Sequence, residues 1–272
     1  MGFRIIALDL DGTTLDSHGA IRPSTKAAVS AALARGLEVV LVTGRHHVAT
    51  RPYHVELGLT SETICCNGTY VYDFAASKVI VGNAMSREQA RRMLAICRRH
   101  NVHCFLYLTD AMTFEVPNAR VERLCAWANS FPPDTRPDIR QVDSFDREID
   151  RASGFWKFVV SHDDADVLAA WQAEANESGE FSLEFSWTNL VDAVLAGNTK
   201  GQRLLDWAAA RGVAADEIIA FGDNHNDLSM IGSVGLGVAM GNAEEALKAA
   251  AGWVTGDNDS DGIAETIERF AL

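Results

Sequence analysis

Asp9-Leu10-Asp11-Gly12-Thr13 sets two carboxylates two residues apart, directly after the apolar run Ile5 to Leu8. Acids held that close serve a site that handles a cation or a proton, and Gly12 lets the backbone turn so that successive N–H groups converge on an anion. Taken alone, the string also describes a surface turn. Three further groups shift the balance. Val42-Thr43-Gly44-Arg45 closes a β-branched run with a hydroxyl and flexible backbone, Lys200 follows Gly197-Asn198-Thr199, and Gly222-Asp223-Asn224-His225-Asn226-Asp227 follows Ile218 to Phe221. All four groups stand at strand ends on one rim of the expected sheet, where open α/β sheets bind ligands.

The elements that must position these groups are readable from periodicity. Ile5 to Leu8 and Leu37 to Val42 read as buried strands, and Ser24 to Arg35, after Pro23, has helical spacing, so the opening is a parallel strand–helix–strand unit. The same alternation returns in Lys200 to Arg211, Ile218 to Phe221, Asp227 to Ile231, Gly235 to Ala239, Ala243 to Ala250, Trp253-Val254 and Ile263 to Phe270. Between them the pattern changes. Strand-like pairs (Val102 to Leu108 with Met112 to Val116, Phe181 to Ser186 with Leu190 to Leu195) join helical stretches at Arg87 to Arg99, Arg120 to Asn129 and Ala165 to Glu177, with a break at Phe131-Pro132-Pro133-Asp134. The expected fold class is α/β. A doubly wound, Rossmann-like parallel core is contributed by residues 1–82 and 191–272, with an inserted α+β cap at 83–190.

Composition narrows the class of partner. The 272 residues hold 24 Lys+Arg against 37 Asp+Glu, a net charge of −13, which disfavours nucleic acid because phosphate-backbone affinity comes from clustered cations. With 47% hydrophobic and 22% charged residues the chain is too apolar for a disordered protein. No run reaches the ~18 apolar residues of a membrane span, and Asp9 interrupts the first apolar run too early for a secretory signal. A cytoplasmic protein with no membrane partner is expected. Cys65, Cys66, Cys97, Cys104 and Cys125 are odd in number and lack CxxC spacing, so they are expected to be reduced, mostly buried thiols.

The four motifs, in this order and strand context, resemble those of the haloacid-dehalogenase-like phosphatases, specifically the Cof-type branch with a C2-type α/β cap. That resemblance implies an Mg²⁺-dependent phosphatase of small phosphate monoesters in which Asp9 is the nucleophile, forming an aspartyl-phosphate, and Asp11 is the general acid and base. It further assigns Mg²⁺ to the Asp9 carboxylate, the Asp11 backbone carbonyl and Asp223, with Asp227 behind them holding Lys200 or a metal-bound water. Phosphate oxygens would be held by Thr43, Lys200, Asn226 and backbone N–H groups around Leu10 and Gly44. Thr-Gly-Arg-His-His, Cys-Cys-Asn-Gly-Thr-Tyr, Trp-Lys-Phe and Gly-Asp-Asn-His-Asn-Asp together look most like the pyridoxal-phosphate phosphatases of the branch. Pyridoxal 5′-phosphate is therefore the first expected substrate and sugar phosphates the second. Arg45, His46, Asn67, Trp156, Lys157 and Trp187 are the candidate selectors of the leaving group.

Other readings stay open at this stage. A phosphomutase shares the chemistry, a binding module would keep the cleft without turnover, a non-catalytic form of the fold would keep the motifs, and a receiver domain would need about half the length. Oligomeric state is not encoded in any motif. Several signals have simpler readings. Asp257-Asn258-Asp259-Ser260-Asp261-Gly262 begins like a calcium loop, yet it follows a strand and leads into a helix for which Ser260 or Asp261 is a natural N-cap. Lys157 is expected at a surface or a hinge of the cap, and His47 is expected to be exposed. Asp163 and Asp164 are read as acids at a helix N-terminus, and Arg91, Arg92, Arg98 and Arg99 as the solvated face of an amphipathic helix.

Overall fold

Ile5–Leu8 (β1) contains nothing but aliphatic side chains and is buried along its whole length, as a strand covered on both faces must be. The computed structural model describes residues 2–187 and 189–272, the side chains of 186 and 187 excepted. The chain forms two compact units, one of residues 1–44, 53–81 and 199–272, the other of residues 45–52 and 82–198.

In the first unit β1 pairs in parallel with β2 (Glu38–Leu41) on one side, after the helix α1 (Pro23–Ala34). A helix α2 (His47–Glu56) then leads to a sheet of β3 (Thr63–Cys65), β4 (Tyr70–Asp73) and β5 (Lys78–Gly82) in that order, with β3 and β4 antiparallel. β3 runs beside the end of the parallel sheet through the bridge of Val42 with Ile64.

The second unit is built on six strands, β6 (His103–Leu108), β7 (Met112–Phe114), β8 (Ile139–Gln141), β9 (Phe155–Ser161), β10 (Phe181–Trp187) and β11 (Leu190–Leu195), in the order β10-β11-β9-β6-β7-β8. All its pairs are antiparallel except β7 with β8. Helices α3 (Arg87–Arg99), α4 (Ala119–Asn129), α5 (Phe145–Arg151) and α6 (Ala165–Glu177) complete it. Met93, Leu94, Phe145, Leu168 and Trp171 of these helices pack with Leu106, Phe158, Val160, Val191 and Ala193 of the strands in one buried cluster.

The chain returns to the first unit through α7 (Lys200–Ala209), β12 (Ile218–Gly222), α8 (Leu228–Ile231), β13 (Leu236–Ala239), α9 (Glu245–Ala250), β14 (Trp253–Val254) and α10 (Gly262–Phe270). The parallel sheet has the order β14-β13-β12-β1-β2. Leu8 is level with Phe221 on one side and Leu41 on the other, so the residues after β1, β2 and β12 leave the sheet at one rim. The connection changes side between β1 and β12, and the carboxyl ends at such a switch are where open α/β sheets bind ligands.

The expected α/β class holds, with two adjustments. The insert does not end at residue 190: β11 pairs with both β10 and β9, and the second unit continues to residue 198. Residues 45–52 also group with it, which a linear reading of the chain had no signal to reveal. The arginine-rich face of α3 is not simply solvated. Arg91, Arg92, Arg98 and Arg99 pair with Asp150, Glu180, Asp146 and Glu174, although half-exposed pairs of this kind contribute little stability. Among the described residues no helix is long and apolar enough to cross a membrane.

Candidate active site

The Asp9 N–H donates to the Phe221 carbonyl, prolonging the β1–β12 ladder by one bond and presenting the side chain at the sheet's rim. The chain then turns tightly through Leu10–Thr14, with Gly12 at φ +73°, and Thr14 Oγ1 donates back to the Asp9 carbonyl. At Gly12 a Cβ would stand 2.3 Å from Asp223 Oδ2, so the turn needs glycine both for its backbone and for the space. Thr13 Oγ1 donates to Asp223 Oδ1 at 2.7 Å. Thr13 lies in the first motif, but the sequence offered no reason to give it a role.

Lys200 opens α7, whose first turn is capped by Thr199 Oγ1 accepting from the Gln202 N–H. Its ammonium is buried and donates to Asp9 Oδ1 at 2.8 Å and to Asp227 Oδ1 at 2.7 Å. The other Asp227 oxygen accepts the backbone N–H groups of Asp223 and Asn224, which folds the loop after β12 around that carboxylate. One oxygen from each of Asp9, Asp223 and Asp227 lies within 4.8 Å of the others.

The electrostatics follow from this crowding. Burial, together with the neighbouring Asp227 and Asp223, pushes the Asp9 carboxyl well above the ordinary range despite Lys200. Burial and then Asp227 push Asp223 up to about 7. Burial would lower Lys200, but Asp227 and Asp9 outweigh it and hold the ammonium above its usual range. Three carboxylates against one ammonium leave the centre two positive charges short when all are ionised, and all the donors are oxygens. A divalent hard cation satisfies both conditions. Asp11 is exposed beside this cluster and contributes no carboxylate to it.

The remaining candidates of the first unit lie close by in the chain's hydrogen-bond network. Thr43, buried, donates its N–H to the Ile64 carbonyl, and its own carbonyl accepts from the Asn67 N–H at 3.1 Å. Gly44 follows it, and Leu10 is buried at the start of the turn. Asn226 Nδ2 donates to Asn67 Oδ1 at 3.0 Å.

Arg45, His46, Trp156 and Lys157 belong to the second unit. The Arg45 guanidinium lies over the Trp127 ring at 5.2 Å. His46 is buried with Nε2 2.8 Å from the Leu108 carbonyl and Nδ1 accepting from the Val48 N–H, a pairing that fixes the Nε2–H tautomer. Burial lowers its pKa to about 4, so it stays neutral near pH 7. His47 is not exposed as expected: its ring is buried 4.3 Å from that of His46, at the first turn of α2. Trp156 is buried at a bulge of β9, where Tyr107 is level with Lys157 and Leu108 with Phe155.

Lys157 is no surface or hinge lysine. Its neighbours Phe158 and Val160 point into the helix-covered core, so strand alternation sends Lys157 to the opposite face. There it meets Asp192 at 2.7 Å and the Tyr107 ring at 4.9 Å. Both charged side chains are about 95% buried. A lone acid in Leu-Val-Asp-Ala-Val-Leu and a lone cation in Phe-Trp-Lys-Phe-Val-Val were the available signals for this pair. Trp187 ends β10, and its side chain lies outside the described residues. The acidic loop near the C-terminus is consumed by protein contacts. Asp259 accepts the Ser17 N–H and Asp261 accepts from Ser24 and Arg22, so Asp261 precedes α10 without capping it through its side chain. Asp164 does cap α6, accepting from the Asp166 N–H.

The parallel sheet brings acids and a lysine together at its switch point, as in Rossmann-like enzymes, and residues 6–267 match the family model for haloacid dehalogenase-like hydrolases. The chain belongs to this family and is a hydrolase. It is 41% identical over 267 residues, 98% of each chain, to pyridoxal phosphate phosphatase YbhA of Escherichia coli. Among solved structures it is similar to a haloacid dehalogenase-like hydrolase from Bacteroides thetaiotaomicron, with TM-score 0.87, 27% identity and coverage of 98% of this chain and 99% of that one. It is also similar to a sugar phosphatase of HAD subclass IIB, with TM-score 0.81, 25% identity and coverage of 98% of both chains.

Proposed function

We propose that the protein hydrolyses small-molecule phosphate monoesters, pyridoxal 5′-phosphate first among them, through a phosphoryl group carried transiently on Asp9. The convergence of Asp9, Asp223 and Asp227 on the buried Lys200 carries the chemical part of this reading. The whole-length likeness to a pyridoxal phosphate phosphatase supports the substrate.

An Asp9 carboxylate oxygen attacks phosphorus while the bond to the leaving oxygen breaks, and Asp11 gives that oxygen a proton. Asp11 then takes a proton from water as its oxygen attacks the aspartyl-phosphate, releasing inorganic phosphate and restoring Asp9. Asp11 is exposed, where solvent reaches the residue. Lys200 aims Asp9 and offsets part of the burial that favours its neutral form, while Thr43, Asn226 and the backbone N–H groups near Leu10 and Gly44 hold the phosphate oxygens on which charge is spread. Mg²⁺, held by Asp9, Asp223 and the Asp11 carbonyl with Asp227 behind them, would supply the charge that lets an anionic carboxylate approach an anionic phosphate.

The leaving group is assigned to Arg45, His46 and Trp156, with Lys157 committed to Asp192. A sugar phosphate is the second reading, favoured by the likeness to the subclass IIB sugar phosphatase. The test is phosphate release from pyridoxal 5′-phosphate, sugar phosphates, a nucleoside monophosphate and an aryl phosphate, with Mg²⁺ or a chelator. Magnesium-dependent release that disappears in Asp9→Asn supports the mechanism. A tenfold preference for pyridoxal 5′-phosphate, about 1.4 kcal/mol of transition-state binding, supports the substrate. No release from any compound would defeat both.

A further inference from the structure

Cys66, Asn67 and Gly68 follow one another with φ of +50°, +57° and +87°. Left-handed backbone is strained at most non-glycine residues, though Asn tolerates it better than others, and it persists only where the surroundings over-determine it, a condition met most often at functional sites. The surroundings here are all in the first unit. The Cys66 carbonyl accepts from Thr69 Oγ1 at 2.7 Å, and the Asn67 N–H donates to the Thr43 carbonyl at 3.1 Å. Gly68 is pressed against the start of α7, where a Cβ would stand 2.1 Å from the Thr199 carbonyl oxygen, and its own carbonyl accepts from Arg203 Nε at 2.8 Å. The arch thus ties the residue after β2 to the helix that carries Lys200.

What the arch presents is the Asn67 side chain, 3% exposed, with Oδ1 accepting from Asn226 Nδ2 at 3.0 Å. Turning the Asn226 amide over would bring two oxygens together, so this pairing holds it in one orientation. The bond uses one of the two Asn226 amide hydrogens. The second hydrogen is left over, and Asn226 Oδ1 is buried with no hydrogen-bond partner among the described residues. A buried amide oxygen without a partner is expensive, and such atoms in a polar site are commonly completed by ligand or water.

We propose that Asn67 is a positioning residue, which locks the Asn226 amide so that its second N–H meets a phosphate oxygen and its Oδ1 meets a donor such as bound water. This replaces the expectation that Asn67 selects the leaving group, and it rests on the phosphate-site reading of the preceding subsection. Cys66 and Gly68 serve it by holding the left-handed arch that aims Asn67.

Asn67→Gly tests this without backbone strain, because glycine accepts positive φ freely while Oδ1 is lost. Phosphate release from pyridoxal 5′-phosphate with Mg²⁺ is measured for the wild type, Asn67→Gly, Asn226→Ala and the double variant, alongside thermal melting. Asn226→Ala is expected to lower kcat/KM at least tenfold. Asn67→Gly should lower it at least fivefold, with the same division between kcat and KM, and should have less than a twofold effect once Asn226 is alanine. Activity of Asn67→Gly within twofold of wild type, or an undiminished effect in the Asn226→Ala background, overturns the proposal. Should Asn67→Gly melt early, Asn67→Asp keeps an acceptor oxygen on a side chain that tolerates left-handed backbone. Asn226→Ala should then still lower its activity fivefold or more, and equality would overturn the proposal. If Asn226→Ala alone retains wild-type activity, the phosphate role of Asn226 is wrong and the positioning role falls with it, an outcome separate from a silent Asn67→Gly.

Discussion

Lys200 Nζ lies 2.7 Å from Asp227 Oδ1 with both side chains out of contact with solvent, and the same ammonium reaches Asp9. The lysine is therefore the internal counterion of the acidic centre, beside the phosphate-binding role proposed for it. Lys200→Met leaves the acids uncompensated, for which removal of one partner from a buried pair predicts a loss of about 3–5 kcal/mol. Denaturant unfolding at pH 8 is expected to show this loss, and repeating it at pH 5 should show a smaller one because the acids can then protonate.

The raised carboxyl of Asp223 makes the metal-free protein sensitive to pH. In the folded protein its pKa is pushed up to about 7, against an ordinary 3.8, so between these values the folded state binds more protons than the unfolded one. Its stabilising contribution is present below the unfolded pKa and is lost as pH rises through the folded value. In chelator the melting temperature should fall between about pH 4 and pH 7, and added Mg²⁺ should raise it more at pH 8 than at pH 5. A metal-free protein that gains stability over this window would contradict the crowding of the acids.

Gly12→Ala should damage the site more than the fold. The added methyl would collide with the Asp223 carboxylate, and φ +73° is unfavourable for alanine. We expect at least a hundredfold loss of phosphate release and a raised Mg²⁺ requirement, with a far-ultraviolet circular dichroism spectrum unchanged from wild type. Near wild-type activity at ordinary Mg²⁺ would show that the turn can give way.

Lys157 and Asp192 form a further buried ion pair, in the sheet of the second unit. Removing only the lysine in Lys157→Met strands a buried carboxylate and is expected to destabilise by about 3–5 kcal/mol, whereas Lys157→Met with Asp192→Leu should recover most of that loss. Denaturant midpoints of the two variants decide it. Equal loss in both would mean that the pair matters through other contacts than its own charge.

The strands and helices that carry chemistry were legible from periodicity alone. α3 and α6 begin and end where the apolar spacing predicts, because their buried stripes and capping residues are local features. Less was legible wherever a residue's state depends on distant chain. His47 follows His46 in a polar-looking stretch yet is buried, and Lys157 finds its partner 35 residues away. The bound drawn at residue 190 cut through a strand pair that alternation had already joined, Phe181 to Ser186 with Leu190 to Leu195, and the pairing of β11 with β10 and β9 keeps that pair together in the second unit.

The order and spacing of the acids, the hydroxyl and the lysine already pointed to the family, since residue type and position relative to a strand end are properties of the chain itself. Tertiary structure decided which of these groups meet and at what charge. Asp9, Lys200 and Asp227 are separated by up to 218 residues (227 − 9), and only the parallel register that sets Leu8 beside Phe221 brings them into one buried cluster. Burial then raised the Asp9 and Asp223 carboxyls and left Asn67 to hold Asn226, because desolvation and hydrogen-bond partnership depend on the folded surroundings and not on residue type.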